Sequence, residues 1–138
     1  ANRVAVEHGH TVCLSLGLAT RATPAQVVDA LRAWRGPEGV PGYLEACPSA
    51  PARPVLVTDA PDRPQPRRDV MAGEGMSVVV GRVRACALLD VKLVVMGHNT
   101  IRGAAGGSIL NAELCVLGAP RVPALDALRP PAHAGAGA

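Results

Sequence analysis

Arg3, His8, His10 and Cys13 stand close together near the start of the chain, in the run Asn2-Arg-Val-Ala-Val-Glu-His-Gly-His-Thr11 and just beyond it. An imidazole takes and gives a proton near neutral pH. A guanidinium holds a carboxylate through two parallel hydrogen bonds. An Arg at the start of a strand and a His just past a Gly therefore suit a small anionic substrate that needs acid–base help. The same residues also fit a strand with a solvent-facing Arg and a His in a turn, and on residue types alone this plainer reading is the commoner one. Zinc would need four converging ligands. His8, His10 and Cys13 could be completed only by Cys86, His98 or Cys115, all remote in sequence, so no metal site is expected. Cys13 is three positions from His10, and on a regular strand such residues point to opposite faces. It is expected to be a small core residue, with Cys86 and Cys115 as ordinary packing.

The elements that must position these side chains follow from patterning. Arg3 to Glu7 alternates and reads as a strand, which His8-Gly9 can bend. Thr11 to Leu18 reads as a second extended run. Thr23-Pro24 opens a helix with Thr as cap, Pro at the first helical position and Gln26 three residues after the cap. Val27, Val28, Leu31 and Trp34 form its apolar face, and Gly36-Pro37 ends it. Residues 36–53 read as a loop, and Pro54 to Thr58 as a short strand. Pro61 to Arg68 is too rich in proline for either regular element and reads as an extended connection. Met76 to Arg84 and Val91 to Met96 are strands, close enough in sequence to pair antiparallel. Asn99 to Leu117 reads as a helix capped by Asn or Thr. Gly106-Gly107 near its start suits a close approach by another backbone or a ligand. The Ala/Pro/Gly-rich residues 118–138 read as a disordered tail. The sum is an α/β (α+β) domain with a mixed, largely antiparallel sheet and helices packed on one face.

Composition narrows the function classes. The chain has 138 residues, about half of them apolar, and a net charge of +3, which fits one globular domain with a modest core. Phe is absent, and Trp34 and Tyr43 are the aromatic residues, so the core lacks the burial that rings supply. We expect a partner surface to provide part of its stability. No dense basic stripe interleaved with aromatics is present, which argues against nucleic-acid binding. No apolar run reaches the roughly 18–20 residues of a membrane helix, and no signal peptide is visible. The four cysteines fit no paired framework. The start at Ala1, directly before a strand pattern, suggests a piece of a longer protein.

NRVAVEHGHT resembles the segment around the catalytic histidine of the aspartate-semialdehyde dehydrogenases. PDRPQPRRD (Pro61 to Asp69), SVVVGRVR (Ser77 to Arg84) and HNTIRGAAGGSILNAEL (His98 to Leu114) follow in the order of that family. The resemblance is greatest to its fungal and archaeal branch. It implies the C-terminal catalytic and dimerisation domain over residues 1–97. Residues 98–117 would be a helix returning to an NADP-binding domain, and residues 118–138 a tail. It also implies His10 as general base, Arg3 as the ligand of the substrate carboxylate, and Asn99 and Thr100 as NADP contacts. The free N–H groups of a helix start would suit that last role. The implied substrates are aspartyl phosphate, aspartate semialdehyde and phosphate, in a cytoplasmic (or plastid) homodimer or homotetramer that serves lysine, threonine and methionine biosynthesis.

Two parts of the family's machinery have no counterpart here. No Gly-rich turn stands between a strand and a helix to receive the cofactor phosphates, and none of the four cysteines lies in the nucleophile's motif. The chain is therefore expected to act as part of a longer enzyme and to show no turnover by itself. Two alternatives remain: a non-catalytic dimerisation module, or a related reductase acting on another acyl phosphate or on malonyl-CoA. Arg3 would anchor a carboxylate in any of these substrates and does not separate them. After SVVVGRVR, Ala85-Cys86 replaces an expected acidic pair, and Arg68 stands where an aliphatic residue is common.

Overall fold

The computed structural model describes residues 5–37 and 43–117. In chain order these form β1 (His10–Leu16), α1 (Pro24–Ala33), the single-turn α2 (Tyr43–Ala46), β2 (Val55–Thr58), the single-turn α3 (Pro66–Asp69), β3 (Val78–Ala85) and β4 (Val91–Gly97). A π-helical turn (Ile101–Ala105) follows and runs into α4 (Gly106–Val116). The four strands make one mixed sheet in the order β1-β4-β3-β2. β4 pairs antiparallel with both β1 and β3, while β2 lies parallel to β3.

Each pairing has a local cause. The β3–β4 hairpin closes through the short connection Cys86–Asp90, with Cys86 N–H donating to the Asp90 carbonyl at 3.2 Å. Parallel β2 and β3 need a longer crossover, and the proline-rich segment with α3 supplies it. That segment is less extended than its composition suggests. Pro66 starts a helical turn, where a missing N–H costs nothing, and the Asp69 carboxylate accepts the Gln65 N–H at 2.6 Å. Asp69 is buried, and Arg63 grips it in an ion pair that includes Nε donating to Oδ2 at 2.7 Å. Chiefly that hydrogen bond holds the Asp69 carboxyl below its ordinary range, against the opposing effect of burial.

α1 keeps its predicted capping box. Thr23 N–H donates to Gln26 Oε1 at 2.8 Å, and Gln26 N–H donates to Thr23 Oγ1 at 3.3 Å. The helix lies against β2 and β3. Buried Val79, Val80, Val91, Leu93 and Met96 line the two central strands. A second cluster of Tyr43, Cys47, Met76 and Leu110 seats α4 beside α2, so the helices do not all rest on the sheet. The loop expected over residues 36–53 thus contains a helical turn, because Tyr43 and Cys47 have apolar surface to bury there. Glu113 of α4 ties the cluster down, accepting from Ser49 N–H at 3.1 Å and from its hydroxyl at 2.9 Å. Burial, and then the Glu113 charge, push the Cys47 thiol up.

The predicted strand over Arg3 to Glu7 does not form across its described part. Residues 5–9 are irregular, and β1 begins at His10. Gly9 turns the chain with a positive φ of 105°, which sets residues 5–8 off from the β1 ladder. Arg3 and the tail over 118–138 lie outside the described residues.

Candidate active-site turn

His10 is the first residue of β1, paired across the ladder with Gly97 at the end of β4. It is exposed, and its imidazole has no hydrogen-bond partner among the described residues. The turn that presents it is rigidly specified. Gly9 is buried, and its N–H donates to Asn99 Oδ1 at 2.8 Å across ninety positions of sequence. A side chain at Gly9 would meet Pro66 Cβ at 3.1 Å, Met96 Sδ at 3.4 Å and Val70 Cγ2 at 3.5 Å. The backbone before His10 is thus pressed against α3 and β4 and tethered to the segment after β4. On the other side of Gly9, the His8 ring stacks on His98 with centroids 4.9 Å apart and planes 26° apart. The exposed Glu7 carboxylate, 4.0 Å from His8 Nε2, adds little in water.

His98 is the residue that sequence reasoning passed over. It is 4% exposed, and its Nδ1 accepts from the backbone N–H of Thr100 and of Ile101, each at 3.2 Å. That pattern puts the ring's proton on Nε2. The ring therefore does the capping expected of Asn99 or Thr100, and Thr100 makes no side-chain cap. Two of the N–H groups expected to be free for an anion are accordingly taken. Asn99 is half-buried with its carbonyl oxygen committed to Gly9, while Thr100 is exposed. The helix starts as a π turn, with Gly103 N–H donating to the His98 carbonyl at 2.9 Å and Ala105 N–H to the Thr100 carbonyl at 3.1 Å. Such turns recur at functional sites. A Cβ at Gly106 would collide with Met76 Sδ and come within 3.1 Å of the Ile101 carbonyl. This glycine answers to packing against the protein's own atoms. The signal for His98 was its place at the head of HNTIRGAAGG, directly after a confident strand.

The remaining candidates fall elsewhere. Arg3 lies outside the described residues, so its approach to His10 is not part of the described geometry. Cys13 is exposed on the edge strand β1, not in the core, because no described element covers that part of the edge. Cys115 is exposed on α4. Cys86 sits in the β3–β4 turn, where backbone N–H groups of Leu89 and Leu88 draw its thiol below the ordinary range. Among the described residues no three His, Cys, Asp or Glu side chains converge as a metal site, and no helix is long and apolar enough to cross a membrane. A cavity of about 380 Å³ borders the turn, lined by Glu7, His8, Pro66, Arg67 and Val70. His10 does not line it. Larger hollows of about 720 Å³ and about 610 Å³ lie at the β3–β4 turn and beside Gly106, away from His10. Among the described residues, none of these cavities encloses the exposed His10 imidazole.

Fold and site together define an α/β domain that presents an exposed histidine from a braced turn at the start of the edge strand of a mixed sheet. Residues 1–102 match the model of the semialdehyde dehydrogenase dimerisation domain, and the chain belongs to that family. It is 50% identical over 113 residues to aspartate-semialdehyde dehydrogenase of Candida albicans, covering 82% of this chain and 30% of that protein. The crystal structure of aspartate-semialdehyde dehydrogenase with NADP from Candida albicans superposes with a TM-score of 0.66 at 44% identity, over 79% of this chain and 30% of that one. Aspartate-semialdehyde dehydrogenase II from Vibrio cholerae gives 0.62 at 26% identity, over 83% and 29%. The chain thus spans about 30% of the length of these relatives.

Proposed function

We propose that this chain is the C-terminal, base-bearing part of an NADP-dependent aspartate-semialdehyde dehydrogenase, which interconverts L-aspartyl 4-phosphate with L-aspartate 4-semialdehyde and phosphate. The observation that carries the reading is the solvent-facing His10 on a turn too tightly held to be incidental. NADP supplies or accepts the hydride. His10 gives a proton to the oxygen that becomes negative when hydride reaches the acyl carbon, and takes it back as the carbonyl re-forms. Arg3 holds the substrate carboxylate with its planar fork. The nucleophilic thiolate belongs to the part of the enzyme that this chain does not span. The NADP contacts in this reading fall to Asn99 and Thr100. The fit is partial: Thr100 is exposed and the Asn99 amide keeps its N–H donors, but His98 occupies two of the backbone N–H groups. The same proposal makes the protein a cytoplasmic or plastid homodimer or homotetramer in the synthesis of lysine, threonine and methionine. The description of the matching family as a dimerisation domain supports the self-association.

The test uses the protein expressed from its whole reading frame, with aspartate semialdehyde, phosphate and NADP. Turnover is expected, and His10→Ala should lower kcat by roughly 10²–10⁴-fold, the usual share of an acid–base group. A protein inactive on this substrate and active on another acyl phosphate or on malonyl-CoA would overturn the substrate assignment. A folded protein inactive on all of them would favour the non-catalytic dimerisation reading.

A further inference from the structure

We infer that Asn99 is a positioning residue for His10. This rests on the dehydrogenase reading and changes the part Asn99 plays in it. A residue at the head of the C-terminal helix would ordinarily turn its side-chain oxygen to the helix N–H groups. Here His98 Nδ1 does that work, and Asn99 Oδ1 is left to accept the Gly9 N–H at 2.8 Å.

The geometry around Gly9 explains why one hydrogen bond matters. On the His10 side the chain is fixed by the β1–β4 ladder, starting with the pair His10 and Gly97. On the other side it leaves the sheet with φ of 105°, and described residues 5–8 join no ladder. Asn99 is two residues beyond Gly97, so the turn that leaves the strand paired with His10 carries the side chain that fixes the preceding peptide. A buried N–H left unpaired is costly. Without Oδ1, the Gly9 peptide would rotate towards water and carry the start of β1 with it. The imidazole makes no hydrogen bond of its own among the described residues, so its aim comes from the backbone. Displacing a reacting group by about 1 Å costs on the order of 10²-fold in rate.

What this role requires is an acceptor. Asparagine and aspartate both offer one at the same reach, whereas a cofactor contact through the amide would need the donor that aspartate lacks. The whole-frame protein is therefore compared as wild type, Asn99→Ala and Asn99→Asp, with kcat and the KM for NADP measured separately and folding checked by melting temperature. Asn99→Ala should lower kcat by roughly 10- to 100-fold, the penalty of a misaimed group. Asn99→Asp should recover most of that loss. A change confined to the KM for NADP in either variant would overturn the inference and return Asn99 to cofactor binding. An Asp variant as slow as the Ala variant would also overturn it, because the acceptor would then be irrelevant. Should Asn99→Ala fail to fold, the Asp variant decides: fast turnover supports the positioning role, and slow turnover refutes it. An inactive wild type would sink the dehydrogenase reading itself; an active wild type matched by Asn99→Ala would sink this inference alone.

Discussion

Replacing Gly9 by alanine tests the claim that the turn before His10 is sterically determined, and the structure supplies the size of the effect. The residue has φ of 105°, outside the range that L side chains adopt at ease. Left-handed backbone costs a Cβ-bearing residue roughly 1–2 kcal/mol. The new methyl would also sit 3.1 Å from Pro66 Cβ and 3.4 Å from Met96 Sδ. Met96 is 1% exposed and the proline ring is stiff, so neither yields freely; such overpacking costs about 1–3 kcal/mol. Together the penalty is about 2–5 kcal/mol. Gly97 gives an internal control. It faces His10 in the ladder, and an added Cβ there has nothing within 4 Å. Gly97→Ala should be neutral or should stabilise by up to about 1 kcal/mol, through the lost freedom of the unfolded chain. Native-state hydrogen exchange over β1 and β4 in the whole-frame protein reads the local opening free energy directly. Gly9→Ala amides should exchange far faster than wild type, and Gly97→Ala amides no faster. Equal protection in the two variants would show that the contacts around Gly9 relax without cost, and the argument for a rigid turn would fail.

Other expectations rest on separate contacts. The lowered Asp69 carboxyl stabilises the fold fully above the ordinary aspartate value of 3.8, and this contribution disappears as pH falls through the depressed folded value. Asp69→Asn should therefore be less stable than wild type near about pH 6, with the gap closing in acid; a gap of constant size across that range in denaturant titrations would refute the assignment. Met96→Ala should cost about 2–5 kcal/mol by the same hydrogen-exchange measure, since the side chain is 1% exposed under the Gly9 turn. Cys86 should be alkylated by iodoacetamide faster than Cys47, which is fully buried with its thiol pushed up; the opposite order in a mass-spectrometric time course would contradict the hairpin geometry. If Arg3 holds the substrate carboxylate as proposed, Arg3→Lys should raise the KM for aspartate semialdehyde with kcat largely kept, because an ammonium cannot make the bidentate pair.

The elements that could be read from sequence are those whose signals are local. Thr23, Pro24 and Gln26 announce α1 within four residues, and the Val-rich β3 and β4 announce themselves by composition and their short separation. The elements misread depend on distant partners. Proline content suggests an extended chain over 61–68, but buried Asp69 gathers Arg63 and the Gln65 N–H into a turn. The turn α2, with Tyr43 at its start and Cys47 just past its end, forms only because Met76 and Leu110 arrive from later in the chain to cover those two side chains. At the site, His10 stands out by residue type beside a glycine. The roles of His98 and Asn99 do not, since hydrogen-bonding inventory alone makes Asn99 the natural cap and a buried His an ordinary core residue. Only the return of β4 alongside β1 brings Asn99 to Gly9.

This division of labour has a physical logic. One side chain cannot both cap the π turn and hold the Gly9 peptide, because the two sets of N–H groups belong to different segments. An asparagine spent on its own helix would leave the His10 turn tied to the sheet on one side only. With the buried ring of His98 as cap, the neighbouring amide is released for the long-range bond. The ring also closes the far side of the turn, where His8 lies flat against it. Exchange of the two roles is not available to the pair: Asn99 is the residue within reach of Gly9, and His98 Nδ1 is the acceptor already facing Thr100 and Ile101. A ring without an acceptor at Nδ1 should therefore disturb His10 through Asn99, by unseating the turn between β4 and the helix in which Asn99 stands. His98→Phe keeps the stacking surface and removes the acceptor, so under the dehydrogenase reading it should slow turnover even though the His98 ring makes no hydrogen bond to His10. Full activity in that variant, with the melting temperature unchanged, would separate the helix cap from His10 and break this chain of dependence at its first link.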